Sequence, residues 1–243
     1  MHCISAITKV ESIFWILLQN TRIYSCIALK KRQFPSNDEY CYRQVRPQNG
    51  SVVVCAGGDE GQEIEEFSNK IGEDGIIHIF EPSKYSYAAL SNKLAALKNI
   101  RVWPYALSSS RGVLDFYESV ESKGASGFNV PFGNYETYPV EAISIDEWAE
   151  VNGIPKIDYI KMDIEGAEYD TLIGATRVIK EFKPSLAICV YHRNDSAAGI
   201  YDEDILRIPM LVKRLVSDYK CSLVNTEYNT WIGTKMFASR AEI

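Results

Sequence analysis

Residues 51–61 read Ser-Val-Val-Val-Cys-Ala-Gly-Gly-Asp-Glu-Gly, and the next ten residues carry apolar side chains at Ile64, Phe67 and Ile71. The β-branched run suits a strand buried on both faces. The glycines allow a sharp turn and let a ligand approach the backbone closely. The spacing of the apolar residues beyond them is that of a helix with one buried stripe. Strand, glycine turn and helix form the opening unit of an α/β sheet.

The unit recurs downstream. Ile76–Phe80 (IIHIF) is expected to form a second strand closed by Glu81-Pro82, followed by a helix with Tyr87, Leu90, Leu94 and Leu97 on one face. Ile100–Leu107 reads as a third strand, with Pro104 placing it near an edge or bulge. Residues 112–143, punctuated by Gly112, Gly124, Gly127 and Gly133, read as a meander inserted between the halves of the sheet. Ser144-Ile-Asp-Glu147 has capping-box form and opens a short helix through Trp148. Ile157–Met162 is the fourth strand, and its helix carries Leu172, Ala175, Ile179 and Phe182. Ser185–Tyr191 is the fifth, ending at His192, and a last helix is expected to start near Pro209. Cys221–Thr226 and Trp231–Ala238 pair as an antiparallel hairpin. The alternation predicts an α/β, doubly wound sheet, mostly parallel with a C-terminal antiparallel hairpin.

Composition narrows the function. The chain has 243 residues, 46% hydrophobic and 24% charged, with a formal net charge of −6. That is a globular composition, and it excludes a disordered or fibrous chain. The acidic balance argues against a nucleic-acid partner, whose phosphates are held by clustered Lys and Arg. The six cysteines form no Cys-x-x-Cys pair, so a structural metal site is not expected and free thiols point to the cytoplasm. The apolar run Ile13–Leu18 is far short of the about 20 residues of a membrane span. Residues 1–37 are read as a helical N-terminal extension and residues 38–243 as the main domain. The oligomeric state is not legible.

In a doubly wound sheet ligands bind beyond the carboxyl ends of the strands. Two glycine registers fit the first turn. Gly57-x-x-x-Gly61 suits a nucleoside of the S-adenosylmethionine type, and Ala56-x-Gly58-x-x-Gly61 is a degraded dinucleotide fingerprint. Glu81 follows Gly61 by 20 residues, where an acid can accept both ribose hydroxyl protons. Asp163 and Glu165, at the mouth of the sheet, can orient a substrate, accept a proton or hold a cation. Capping and helix-dipole roles are the structural alternative, and Glu168 begins the helix beyond them. His192 can face Asp163 across the crevice as a general base, or serve as a hydrogen-bonded structural residue.

Read together, residues 52–61 (VVVCAGGDEG), Phe80-Glu-Pro-Ser83, Ala106-Leu-Ser108, Ser144-Ile-Asp146 and residues 157–168 (IDYIKMDIEGAE) resemble successive blocks of the FkbM-type S-adenosylmethionine-dependent methyltransferases. The resemblance covers about residues 38–240. It implies a class I methyltransferase, Rossmann-like fold and O-methylation of a sugar, glycan or natural-product hydroxyl. It also implies a cofactor site at residues Cys55, Gly57, Gly58, Gly61, Glu81 and Ala106, with Gly57 and Gly61 at the methionine part and Glu81 at the ribose. Catalysis is assigned to His192 as base, with Asp163 and Glu165. Cys55 departs from the pattern, which usually has Asp there, and Asp59 is a candidate to compensate. A variant places Mg²⁺ on Asp163 and Glu165 as Lewis acid. The alternatives are an impaired binding module, suggested by Cys55, and an NAD(P)-dependent oxidoreductase, suggested by the second glycine register but lacking a Tyr-x-x-x-Lys pair.

Overall fold

The computed structural model describes residues 27–31, 39–58, 61–120, 126–128, 133–192, 204–225 and 234–241. Eleven strands are described: β1 (Ile27–Lys31), β2 (Val52–Ala56), β3 (Ile76–Phe80), β4 (Ile100–Trp103), β5 (Ala106–Leu107), β6 (Gly112–Ser119), β7 (Tyr135–Ile143), β8 (Tyr159–Met162), β9 (Ser185–Cys189), β10 (Lys220–Asn225) and β11 (Thr234–Ser239). The helices are α1 (Gln62–Ile71), α2 (Lys84–Lys93), α3 (Ile145–Val151), α4 (Glu168–Ile173), α5 (Thr176–Phe182) and α6 (Asp204–Leu215). The main sheet has the order β1-β10-β11-β9-β8-β2-β3-β4. Strands β9, β8, β2, β3 and β4 run parallel, and β11 lies antiparallel between β9 and β10. The chain builds outward from β2 through β3 and β4, then returns to β8 on its other side. The switch point therefore falls between β2 and β8, beside Gly57 and Asp163.

Burial alternates along β2. Val52, Val54 and Ala56 join a core with Trp148, Ile160 and Leu172 on one face of the sheet. Val53 and Cys55 join a second core with Ile64, Phe67 and Leu90 on the other. Both faces are covered, as the near-continuous apolar runs require.

Several boundaries differ from expectation. The third strand splits, because Pro104 has no N–H for the ladder. The chain leaves the main sheet after Trp103, and Ala106–Leu107 pair instead with Ala142–Ile143 of β7. With the β6–β7 hairpin they form a separate three-stranded sheet, the structured form of the expected meander. The single helix expected after β8 is two, separated at Gly174 and Ala175. A Cβ on Gly174 would lie 2.1 Å from the Ser108 carbonyl oxygen, so close packing on the second sheet accounts for the glycine. Pro209 lies inside α6 rather than at its start. Its ring removes one helical hydrogen bond, but Ile205, Ile208, Leu211 and Val212 are buried on both sides of it, and that burial carries the helix through. Ile27–Lys31 is a strand parallel to β10, where a helix was expected. Residues 1–26 and 32–38 lie outside the described residues, as does the turn of the C-terminal hairpin. The Ser144 half of the capping box is present, with Ser144 Oγ accepting from the Glu147 N–H at 3.1 Å, while the Glu147 carboxylate accepts from Arg111 at 2.6 Å. Among the described residues no helix is long and apolar enough to cross a membrane.

On the β3–β4 side the core is aromatic. His78, Phe80 and Trp103 surround Trp148, with centroids 4.7, 5.0 and 5.9 Å from it. Trp103 Nε1 donates to His78 Nδ1 at 3.2 Å. Burial, with a smaller push from Arg101, lowers the His78 pKa from 6.5 to about 4. The folded chain therefore binds fewer protons there than the unfolded one, and His78's contribution, full above about 6.5, is lost as pH falls toward 4. His78→Gln should show a smaller drop in melting temperature between pH 7 and pH 5 than the native chain. Equal drops would assign the acid sensitivity elsewhere.

Candidate active site

Beyond β2 the chain turns at Gly57, which has φ +80. A Cβ there would sit 2.0 Å from the Asp163 carbonyl oxygen, so only glycine fits. The Gly57 carbonyl accepts from Lys161 Nζ at 2.9 Å, and the Gly58 N–H donates to Glu81 Oε2 at 3.1 Å. One peptide group is thus held from both ends. The other oxygen of Glu81, Oε1, accepts from the Ser83 N–H at 3.0 Å. Burial pushes the Glu81 pKa up, and these two N–H donors oppose it.

The expected cofactor residues divide. Gly57, Glu81 and Ala106 line a cavity that also includes Phe116, Phe128, Asp163 and Glu165. Cys55, Gly58 and Gly61 do not line it. The Cys55 side chain points into the core below α1, where burial drives its thiol pKa upward and keeps it neutral. Gly58 packs on Leu90 and Ile79, which a Cβ would meet at 2.4 and 2.9 Å. The dinucleotide register therefore does not present its second glycine to a ligand. Gly61, at φ +71, starts α1 and stands against Leu90. Asp59 lies outside the described residues.

Across the switch point, the predicted catalytic residues come together. His192 Nε2 is 3.2 Å from Asp163 Oδ1 and 3.5 Å from Glu165 Oε1. Glu165 adopts φ +53, a costly conformation for a residue with a side chain, and Gly166 follows at φ +98. Glu168 is buried and holds this loop from within. Its Oε1 accepts from the Ile164 N–H at 3.0 Å and its Oε2 from the Gly166 N–H at 3.0 Å. Oε1 also accepts from His192 Nδ1 at 2.8 Å, which puts a proton on Nδ1 and turns Nε2 toward Asp163 and Glu165. Glu168 therefore positions both the acid loop and the histidine, beyond its expected place as a helix-start acid.

Sequence reasoning missed Tyr40, whose hydroxyl donates to Asp163 Oδ2 and whose carbonyl accepts from the Tyr159 hydroxyl. The ammonium groups of Lys161 and Lys235 lie 4.8 and 4.9 Å from its ring centroid. No periodic pattern marks Tyr40, which precedes the first strand of the alternation. Lys161 did carry a signal, being a lysine in a four-residue strand that is otherwise apolar.

Electrostatics revise the role of His192. Burial lowers its pKa, but the hydrogen bond and charge of Glu168 and the charges of Asp163 and Glu165 raise it to about 9. The resting imidazole is charged at neutral pH and must lose a proton before it acts as a base. Asp163 is raised by burial, yet Lys161 and His192 bring it below the usual carboxylate range.

A cation shared by Asp163 and Glu165 finds little support. Among the described residues, the ligand atoms close enough to share an ion are those of Asp163, Cys189 and His192. A fully buried thiol is a poor ligand for Mg²⁺, which takes oxygens. The donor set does not fit that metal.

Of the aromatics in the insert, Phe116 and Phe128 face the cavity in edge contact, with centroids 5.6 Å apart. Tyr117 packs on Tyr135, and the Tyr138 hydroxyl donates to Glu118. Phe132 and residues 193–203 lie outside the described residues.

A doubly wound sheet with an antiparallel C-terminal hairpin and an acid after its second strand defines the class I, Rossmann-like methyltransferase fold. Residues 51–219 match the family model described as Methyltransferase FkbM domain, and the chain belongs to that family. It is similar to the 2-O-methyltransferase NoeI of Sinorhizobium fredii (strain NBRC 101917 / NGR234), at 24% identity over 53% of this chain and 58% of that protein. The chain thus spans somewhat over half the length of this curated relative. Among solved structures it resembles methyltransferase FkbM from Methylobacillus flagellatus KT, with a TM-score of 0.62 and 22% identity over 85% of this chain and 48% of the other. It also resembles a putative rRNA-methylase from Clostridium thermocellum, with a TM-score of 0.50 and 10% identity over 85% and 96% of the two chains.

An NMR titration of the His192 ring should give a midpoint near 9. Glu168→Gln should bring that midpoint down toward 6.5, the ordinary value for histidine. A native midpoint at or below 6.5 would refute the charge assignment.

Proposed function

We propose that this chain is an S-adenosylmethionine-dependent O-methyltransferase acting on a hydroxyl of a sugar, glycan or related small molecule. The observation that carries this reading is the cavity at the switch point, lined by Glu81 and the bare Gly57 backbone on one side and by Asp163 and Glu165 on the other, with the buried His192 side chain in contact with both of these carboxylates.

The residues present fit the cofactor. Glu81 lines the cavity, and each of its oxygens, fixed by one backbone N–H, keeps acceptor capacity for a ribose hydroxyl. Gly57 lets the backbone approach the methionine part, and Ala106 offers a small apolar wall. Asp163 and Glu165 present negative charge to a cationic sulfonium. When bound, S-adenosylmethionine supplies a methyl group on positively charged sulfur, open to in-line attack by oxygen.

The protein's share is positioning and proton removal. Neutral His192 would accept the acceptor hydroxyl's proton at Nε2, while Glu168 retains the hydrogen bond to Nδ1. With a pKa of about 9, roughly one His192 in a hundred is neutral at pH 7. Arrival of a cation in the cavity lowers that pKa and raises the neutral fraction. Asp163 orients the ring, and Tyr40 fixes Asp163.

Calorimetry with S-adenosylhomocysteine tests the cofactor half. The native chain should bind it, and Glu81→Ala should weaken binding about 10-fold or more, on the order of two lost hydrogen bonds. No native binding at millimolar ligand would defeat the proposal. Transfer of labelled methyl from S-adenosylmethionine to a panel of sugars tests the acceptor half. With a turned-over acceptor, kcat/KM should rise with pH toward 9, and His192→Ala should lower it about 10²–10⁴-fold. A flat profile would move the base elsewhere.

A further inference from the structure

Lys161 lies within β8, and its side chain is 2% exposed. A buried ammonium is costly unless a carboxylate and further hydrogen bonds compensate it. Its ladder partner on β2 is Cys55, and paired residues in neighbouring strands point to the same face. Position 55 is thus the sheet position beside Lys161, and the residue there is a neutral buried thiol. The carboxylate comes instead from another element. Glu63 Oε1, in the first turn of α1, lies 3.1 Å from Lys161 Nζ.

Helix-dipole complementation does not account for this placement. Glu65 stands in the same first turn, with its side chain 57% exposed and 3.6 Å from the surface Lys93. The Glu63 side chain is 17% exposed and turned inward. Burial lowers the Lys161 pKa, but Glu63 and then Asp163 more than restore it, so the ammonium stays charged. It is therefore available to hold the Gly57 carbonyl, whose peptide group is gripped at its N–H end by Glu81.

We infer that Glu63 is the positioning residue of the cofactor turn: it supplies the carboxylate that Cys55 does not, pairs with Lys161, and so fixes the Gly57–Gly58 peptide against the cavity. Glu63 touches neither the cavity nor the reacting groups. It acts through Lys161 on the backbone that the methionine part of the cofactor would meet. The inference rests on the S-adenosylmethionine reading, and it moves compensation for Cys55 from the neighbouring loop to the helix.

The test is a rescue. Glu63→Gln leaves a buried cation with a neutral partner. It should weaken S-adenosylhomocysteine binding about 10-fold or more and lower the ligand-free melting temperature by about 5 °C. Adding Cys55→Asp returns a carboxylate to the ladder position beside Lys161, and the double variant should recover both quantities to within about threefold and 2 °C of the native chain. If Glu63→Gln fails to fold and the double variant folds and binds, the inference is equally supported. It is overturned if Glu63→Gln binds and melts like the native chain, or if Cys55→Asp gives no recovery. Should the native chain itself not bind S-adenosylhomocysteine, the proposed function fails. The charge pair is then decided by the melting temperatures alone, which do not involve the ligand.

Discussion

A single peptide group, between Gly57 and Gly58, is the constraint on which the site depends. Its oxygen is held by a buried ammonium and its nitrogen by a buried carboxylate. These charges come from Lys161 on β8 and Glu81 after β3, the strands that flank β2. The clamp therefore needs three adjacent parallel strands in one register. A slip of one residue would send both the lysine and the apolar residues around it to the opposite face. Sheet register and site geometry are set together here, because each buried charge is tolerable only where the others meet it.

The same logic governs the acid side. Asp163, Glu165 and Glu168 lie within one loop and helix start, and three carboxylates so close would repel one another in isolation. Positive charge reaches them from other elements: His192 after β9, Lys161 in β8 and Lys235 in β11. Tyr40 lies between the two lysines and donates to Asp163, joining these charges through one ring. A cationic His192 offsets the charge of these carboxylates, for which another cation would compete. A sulfonium is such a cation, so one carboxylate group can serve first as partner of the histidine and then as host of a positively charged ligand.

The sequence made the β-α alternation plain, because buried parallel strands are short β-branched runs and their helices show a clear apolar period. It placed Glu81, Asp163 and His192 by the rule that ligands gather beyond strand ends; Glu81 and Asp163 line one cavity, and His192 meets Asp163. It was least informative where tertiary packing overruled a local signal. Pro209 reads as a helix start, yet four buried apolar side chains carry α6 through it. Gly174 interrupts what reads as one helix, because the second sheet packs against that glycine. Glu63 and Glu168 both resemble ordinary helix-start acids. Only the fold distinguishes them from Glu65, by turning them inward onto Lys161 and His192. Cys55 was read as lining the cofactor, but strand alternation points it into the core, where it matters as the position facing Lys161.

The insert is joined to the Glu81 side of the cavity through Ser83 and the start of α2. Ser83 gives its N–H to Glu81 and its hydroxyl to Glu118 of β6 at 2.7 Å, while its oxygen accepts from the Ser86 N–H at the start of α2. Glu118 in turn accepts from Tyr138 of β7, whose oxygen accepts from the Lys84 N–H at 3.2 Å. The wall that carries Phe116 is thus tied by continuous buried hydrogen bonds to the acid that would hold the ribose. On the opposite edge, Gly127 lies so close to Glu165 that a Cβ would come within 3.0 Å of the Glu165 Cβ. The wall that carries Phe116 and Phe128 is thus bonded to the Glu81 side and packed against Glu165 on the other. Phe116, Ser126 and Phe128 line the cavity between these two points.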